Sequence, residues 1–128
     1  MKRPSDMQGL VKESRHGRYR YQVSRVWGDG PRLVVVVNRA GFGDDNLDDR
    51  SIRLACARAR RWGFAGVELV SLFAARVITG PELAALADPV GPRNNETIRD
   101  LMLLARKSGW PVLIAWGPRA DRRRAGAV

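Results

Sequence analysis

Residues 34–53 read VVVVNRAGFGDDNLDDRSIR and join four consecutive valines to a polar segment that contains glycine and aspartate. Apolar residues at successive positions predict a strand that is covered on both faces, as in a parallel or mixed α/β sheet. The residues after Val37 have the composition of a loop. Because ligands bind beyond the carboxyl ends of parallel strands in open α/β sheets, this exit predicts the position of a functional site.

The composition predicts one compact globular domain. The chain has 128 residues, of which 45% are apolar, as in ordinary folded proteins. Residues 1–10 lack the apolar stretch of a signal peptide, and no run approaches the roughly 18 residues that span a membrane. The single cysteine, Cys56, excludes an internal disulfide framework and fits a reducing cytoplasm, which is the predicted location. Since His16 is the only histidine, no zinc-ligand spacing occurs, and neither a metal nor a cofactor is predicted.

The net charge is strongly positive. The chain carries 23 Lys+Arg against 13 Asp+Glu, which gives +10. Such a surface attracts polyanions, so DNA, RNA or a nucleotide is a predicted partner, and a membrane is not. All but three of the cations are arginine, and they form no obvious stripe in the sequence. Codon usage in a GC-rich genome therefore remains an alternative explanation for the charge.

Local patterns predict the elements of the first half. Residues 19–26 alternate between apolar and polar side chains, as a half-buried strand does. Turn residues at 27–31 would reverse the chain into a second strand at 33–38, so that the two form an N-terminal β-hairpin. Helical spacing predicts a helix at 51–62. Its predicted buried face consists of Ile52, Ala55, Cys56, Ala59 and Trp62.

The second half alternates strands with helices. Strands are predicted at 66–73 and 111–117, a short helix at 81–87, and a longer helix that begins at Asn94 or Asn95 and ends at Gly109. The longer helix would bury Ile98, Leu101, Met102 and Ala105. Right-handed crossovers then give a three-layer α/β fold, with a mostly parallel central sheet entered through the hairpin and helices on both faces. The predicted organisation is a flexible lead-in at 1–17, a single domain at 18–118 and a charged tail at 119–128.

The aspartates after the valine strand invite a metal site, but their spacing does not match an EF-hand loop. We expect Asp48, Asp49 or Ser51 to cap the following helix, with Asp44 and Asp45 solvated, and a divalent cation as the alternative. Cys56 falls on the apolar face of the helix and is expected to be an inert core thiol. The sequence offers no pairing of a nucleophile with a base.

Short motifs occur in a fixed order along the chain. They are Tyr19-Arg20-Tyr21, Arg25-Val26-Trp27-Gly28, Asn38, Asp49 with Ser51-Ile52-Arg53, Arg61-Trp62-Gly63-Phe64, Leu72-Phe73-Ala74 with Arg76, Asp88-Pro89-Val90-Gly91-Pro92 with Asn94, and Ala115-Trp116-Gly117. From about Tyr19 to Gly117 this order resembles the bacterial and phage family called domain of unknown function 1643. The family pattern is similar, more distantly, to uracil-DNA glycosylase-like domains. That similarity implies binding of a base or nucleotide at the rim of the sheet, by analogy of fold alone.

The chain departs from the family pattern at positions where chemistry would be expected. Asn38-Arg39-Ala40 stands where the family has Asn-Pro-Ser, and Ser71 stands where it has asparagine. The family pattern also continues past Trp116-Gly117 to a His-Pro motif. The resemblance therefore implies a truncated copy that lacks the last strand and a catalytic histidine. An unpaired sheet edge would then favour self-association.

Three functions follow as hypotheses. The first is a binding domain in which Asn38 contacts a polar edge of the ligand, Phe73 or Trp116 stacks on it, and Arg76 and Arg119 contact phosphate. The second is a glycosylase-like hydrolase of a nucleobase bond, with Asp49 or Asn38 positioning water. The third is an inactive structural or interaction domain. The predicted ligand-binding residues are Asn38, Arg39, Gly41, Asp49, Ser71, Phe73, Arg76, Asn94, Trp116 and Arg119. Each has an ordinary structural alternative, such as a local turn, a core position or a solvated charge.

Overall fold

The structure is a computed structural model that describes residues 7–41, 48–77, 80–117 and 122–126. These residues form five strands and four helices, which confirms the α/β class. In chain order they are β1 (Gln8–Glu13), β2 (Arg20–Val26), β3 (Arg32–Arg39), α1 (Arg50–Arg61), β4 (Gly66–Phe73), α2 (Gly80–Ala84), α3 (Asn94–Ser108), β5 (Val112–Ala115) and α4 (Arg122–Gly126). None of the helices in the described ranges is long and apolar enough to cross a membrane.

The sheet is mixed, with strand order β1-β2-β4-β3-β5. β3 pairs in parallel with β4 and β5, whereas β2 pairs antiparallel with β1 and β4. The prediction of a mostly parallel sheet is therefore not confirmed. The predicted hairpin between residues 19–26 and 33–38 is wrong, because β4 lies between β2 and β3. The turn residues at 27–31 reverse the chain, but the apolar β3 lies between β4 and β5, where both of its edges are hydrogen-bonded.

The hairpin at the N-terminal end of the fold is formed by β1 and β2. Leu10 pairs with Ser24, and Tyr19 N–H donates to Ser14 Oγ at 3.0 Å in the connecting turn. Residues 8–13, which were expected to belong to the flexible lead-in, are thus part of the sheet. β1 lies at the edge of the sheet, and its Leu10 is 72% exposed. The sequence of β1 alternates too little between apolar and polar residues to predict a strand.

The consecutive valines of β3 contribute to two apolar clusters. Leu33 and Val35 pack with Ile52 and other residues of α1, while Val34 and Val36 pack with residues of α3. Burial of each such side chain contributes about 1.5–3 kcal/mol. The sequence therefore predicted correctly that this strand is covered on both faces. The predicted inclusion of Trp62 is wrong, because α1 ends at Arg61 and the Trp62 side chain is 51% exposed.

The ends of the two longer helices are fixed by the residue types predicted for them. Asp49 caps α1, and its Oδ1 accepts from Ile52 N–H at 3.0 Å. Gly109 ends α3 in the left-handed conformation, with φ 74°, and its N–H donates to the Ala105 carbonyl, as glycine does at many helix ends. Within the predicted charged tail, α4 lies against the sheet, because buried Arg124 donates through Nε to the Leu72 carbonyl at 2.7 Å.

Candidate functional site

The carboxyl ends of the three parallel strands lie side by side. Val37 of β3 pairs with Ser71 of β4 on one side and with Ala115 of β5 on the other. β3 and β4 end two residues later and β5 ends at Ala115, so the three strands leave the sheet at one rim, as the sequence predicted. This rim is the place where open α/β sheets bind ligands.

A cleft of about 400 Å³ opens at this rim, within the range of roughly 300–1,000 Å³ typical of small-molecule sites. It is formed by the end of β3, the first turn of α1 and the neighbouring strand ends. Its lining residues are Val37, Asn38, Arg39, Ala40, Gly41, Ser51, Val77 and Ala115. The predicted site residues Asn38, Arg39 and Gly41 therefore belong to one cleft.

Two adjacent polar side chains of this cleft carry unsatisfied atoms. Asn38 Oδ1 and Arg39 Nη1 are buried, and neither has a hydrogen-bond partner among the described residues. A buried polar atom left in this state costs about 1–3 kcal/mol. The asparagine amide can present its oxygen or its nitrogen by rotating about χ2, so Asn38 can match either a donor or an acceptor. The pair is therefore suited to a ligand with a polar edge and an anionic group.

Asp49 lies beside the cleft, and both of its carboxylate oxygens accept hydrogen bonds. Oδ1 caps α1, and Oδ2 accepts from Arg20 Nη1 at 2.6 Å. Arg20 is 1% exposed. Burial lowers the pKa of the Arg20 guanidinium, and the neighbouring Asp49 carboxylate opposes this effect. A Cβ at Gly41 would overlap Asp49 Oδ2, so the absence of a side chain at Gly41 lets the backbone approach this carboxylate.

A second buried ion pair lies beside the first. Arg25 Nε contacts Asp48 Oδ1 at 2.9 Å, and both side chains are almost fully buried. β2 thus holds the segment that precedes α1 through two arginines. This arrangement was not predicted from the sequence, because strand alternation places Arg20 on a polar face. The adjacent acids Asp48 and Asp49 were the only local signal.

The predicted site residues Ser71 and Asn94 lie inside the protein near the rim. Asn94 is fully buried, and its Nδ2 donates to the carbonyl oxygens of Ser71 and Leu72 at 2.8 and 3.1 Å. These bonds attach the start of α3 to the end of β4. Neither Ser71 nor Asn94 lines the cleft.

The remaining predicted site residues have other surroundings. Phe73 and Trp116 pack against the apolar cluster between the sheet and α3. Arg76 Nη1 contacts Glu13 Oε2 of β1 at 2.9 Å, a strand that the sequence analysis did not predict. Arg119 lies outside the described residues. The structure therefore does not place these side chains among the residues that line the cleft.

A larger cleft, of about 540 Å³, lies between β1 and α3. Its charged lining residues are of both signs: Lys12, Glu13, Arg15, Arg93, Glu96 and Asp100. Carboxylates beside the cations remove the selectivity for anions that a purely basic cleft would have. We therefore take the β3 cleft as the candidate site.

The described residues contain no group of three His, Cys, Asp or Glu side chains that could hold a metal ion. Asp44 and Asp45 lie outside the described residues, while Asp48 and Asp49 are in ion pairs with arginine. Cys56 is buried in the core, and desolvation raises the pKa of its thiol to about 12. Asp48 and Asp49 therefore stabilise the folded conformation of the segment that precedes α1.

Comparison with known proteins identifies the family. The model of a family described as protein of unknown function (DUF1643) matches residues 20–128. The match covers most of the chain, which therefore belongs to this family. No curated protein and no solved structure matches the chain.

Proposed function

We propose that this member of the DUF1643 family binds a nucleotide, free or within a nucleic acid, in the cleft at the end of β3. The observation that carries the proposal is the adjacent pair Asn38 and Arg39. Both residues line the cleft, and each carries a buried polar atom that has no partner within the described part of the chain. A ligand that supplies both partners would recover the free energy that these unsatisfied groups cost.

The chemistry of the two side chains fits the two ends of a nucleotide. The Asn38 amide can hydrogen-bond to the polar edge of a base, and the planar guanidinium of Arg39 matches two oxygens of a phosphate. The net charge of +10 favours an anionic ligand over a neutral one.

The surroundings of the other predicted residues change their proposed roles. Arg76 is in an ion pair with Glu13, so we assign the phosphate contact to Arg39. Phe73 and Trp116 pack into the core cluster, so neither is assigned a stacking role in the cleft. Asp49 is a cap and an ion-pair partner, which favours binding over a hydrolysis reaction in which Asp49 would position water.

Calorimetric titration with the four ribonucleoside 5′-monophosphates and with inorganic phosphate tests the proposal. Arg39→Gln should weaken nucleotide binding by about 10-fold or more, because a charge-assisted hydrogen bond contributes about 1.5–3 kcal/mol. Asn38→Ala should reduce the difference in affinity between bases and leave phosphate binding unchanged. Arg99→Gln, at an exposed position of α3, removes the same charge away from the cleft and serves as the control. Equal affinities of the two arginine variants would contradict the proposal.

A further inference from the structure

The outer face of α1 is rich in arginine and carries no acidic residue. The helix reads RSIRLACARARR and contains five arginines and no acidic residue. Its buried side is formed by Ile52, Ala55, Cys56 and Ala59. All five arginines are exposed: Arg50, Arg53, Arg58, Arg60 and Arg61. Five of the chain's arginines therefore lie on this one helix.

Four of these arginines are available to a ligand. The Arg60 guanidinium lies over the Trp27 ring, 4.4 Å from its centroid, and is engaged. The other four make no ion pair with a carboxylate of the described residues. At 100° per residue, Arg50 and Arg61 lie opposite the buried side and Arg53 and Arg58 lie on its two flanks. Together with exposed Leu54 and Ala57 they form the solvent-facing half of the helix.

Trp62 adds an aromatic surface at the end of α1. It is 51% exposed, although tryptophan is usually largely buried. Together with Leu54, Arg58 and Arg61 it lines a shallow depression of about 350 Å³. An exposed indole beside guanidinium groups provides a surface on which a nucleobase can stack while its phosphate contacts arginine.

A groove connects this surface to the candidate site. It lies between α1 and the strands β3 and β5, has a volume of about 370 Å³ and is lined by Arg58 and Trp62 at one end. Ser51 and Ala115 line both this groove and the β3 cleft. The basic face, the indole and the cleft therefore form one continuous surface.

We propose that the outer face of α1 binds single-stranded nucleic acid. Arg50, Arg53, Arg58 and Arg61 contact the phosphates, and Trp62 stacks on an unpaired base. The strand then follows the groove between α1 and β5 towards the β3 cleft. The inference rests on the proposed function, since the nucleotide in the cleft would be one residue of the bound nucleic-acid strand. A single strand is favoured over a duplex because stacking on Trp62 requires a base that is free of its complement.

Fluorescence anisotropy with a labelled 12-nucleotide DNA, single-stranded or duplex, tests the arginines. Arg53→Gln with Arg61→Gln should weaken single-strand binding at least 10-fold. It should also lower the slope of log affinity against log salt by about 1.4, since each phosphate contact contributes about 0.7. The control is Arg99→Gln with Arg106→Gln, which removes two exposed charges from α3. Equal losses in the two double variants would overturn the proposal, because they would show a response to net charge alone.

Trp62 is tested with Trp62→Leu and Trp62→Phe in the same assay. Loss of stacking in the leucine variant should weaken binding roughly 10-fold, and the phenylalanine variant should retain most of the affinity. Equal affinity of both variants, or no preference of the wild type for single strands over duplex, would overturn the role of Trp62.

Two further titrations separate this inference from the proposed function. The Arg53/Arg61 variant should bind nucleoside monophosphates as the wild type does, whereas Arg39→Gln should not. Failure of the wild type to bind any monophosphate would refute the cleft, while arginine-dependent binding of the strand would still support α1. Vesicles with anionic lipid form the last arm: vesicle binding that depends on Arg53 and Arg61, without binding of the oligonucleotide, would assign this face to a lipid surface and overturn the proposal.

Discussion

Gly41 and Asp49, which lie on either side of residues 42–47 in the sequence, are in contact. The Asp49 carboxylate is held by Arg20 at 2.6 Å and by the α1 cap at 3.0 Å, so it cannot move without losing one of these bonds. A side chain at Gly41 would overlap it. The backbone at this position therefore depends on glycine for space.

Gly41→Ala should lower the free energy of unfolding by about 1–3 kcal/mol, as overpacking of a fixed neighbour does. Gly28→Ala is the matched control. A Cβ at Gly28 would lie 3.7 Å from the Ala65 Cβ, an ordinary contact, so this change should be neutral or stabilise the protein by up to about 1 kcal/mol. Urea denaturation of the three proteins measures both effects. Equal stability of the two variants would show that Asp49 is not fixed.

The buried thiol of Cys56 should make the free energy of unfolding fall at alkaline pH. The pKa of its thiol is about 12 in the folded protein, against an ordinary value of 9.0, because burial disfavours the thiolate. Because the folded pKa is the higher one, the stability that the buried neutral thiol contributes is fully present below pH 9. This contribution is lost as pH rises towards 12. The loss should be about 1.4 kcal/mol for each pH unit above 9.

Denaturation at pH 8 and pH 10 checks this expectation. The wild type should lose roughly 1–1.5 kcal/mol more than Cys56→Ala between the two values. Subtracting the variant removes the contribution of other groups, including Tyr21, whose pKa burial also raises. The same pH dependence in both proteins would show that the thiol titrates normally.

The side chains that sequence alternation misplaced are those with distant partners. Residues 19–26 predicted arginine and glutamine on a solvated face, yet Arg20 is 1% and Gln22 8% exposed. Arg20 is buried against Asp49, 29 positions away, and Gln22 donates to Glu68, 46 positions away. Periodicity describes the local environment of a residue, and it contains no information on a partner that the fold brings into contact.

At the scale of elements, local patterns predicted the segments but not their neighbours. Gly66–Phe73 was predicted with its observed bounds, and α1 and α3 were predicted to within about one residue at each end. The pairing of β2 with β4 was not predicted, because turn residues at 27–31 indicate a reversal of the chain and not the strand that follows in the sheet. The cleft residues Asn38, Arg39 and Gly41 were predicted because they lie where an apolar strand ends. Helical spacing placed the arginines of α1 outside its buried face, but the exposure of Trp62 beside them was not predicted.

Asn94 connects two elements, and its replacement should weaken their contact. Asn94→Asp would place carboxylate oxygens opposite the Ser71 and Leu72 carbonyls that now accept from Nδ2. We expect it to cost more than the roughly 1–3 kcal/mol of Asn94→Ala, because a buried charge is added to the lost hydrogen bonds. Burial should raise the pKa of the introduced carboxyl group above its unfolded value.

The cost of Asn94→Asp should therefore depend on pH. It should be smallest below about pH 4, where the carboxyl group is protonated in both states, and should grow as pH rises towards its folded pKa. Asn95→Asp, at an exposed position in the first turn of α3, should be neutral or slightly stabilising, since an acid there favours the helix dipole. Denaturation curves at pH 4 and pH 7 measure the contrast. A deficit of Asn94→Asp that does not change with pH would contradict this account.

For the whole molecule, repulsion between copies competes with an apolar sheet edge. The net charge is +10, and its field extends about 10 Å at 0.1 M salt and about 3 Å at 1 M. In the described part of the chain, β5 pairs with β3 alone, and Val112 and Ile114 are 41% and 50% exposed. An unprotected edge of this kind pairs with other chains. Salt should therefore decide which of the two effects dominates.

We expect the protein to be monomeric at low salt and to self-associate between about 0.1 and 1 M salt, where the repulsion is screened. Ile114→Lys should suppress this association, because a charged residue on an edge strand opposes pairing. Leu103→Lys adds the same charge at a 59% exposed position of α3 and should suppress it much less. Light scattering coupled to size-exclusion chromatography measures the mass at each salt concentration. If both lysine variants act alike, net charge controls association and the β5 edge has no part in it. A wild type that stays monomeric throughout would show that the short length of β5 already protects this edge.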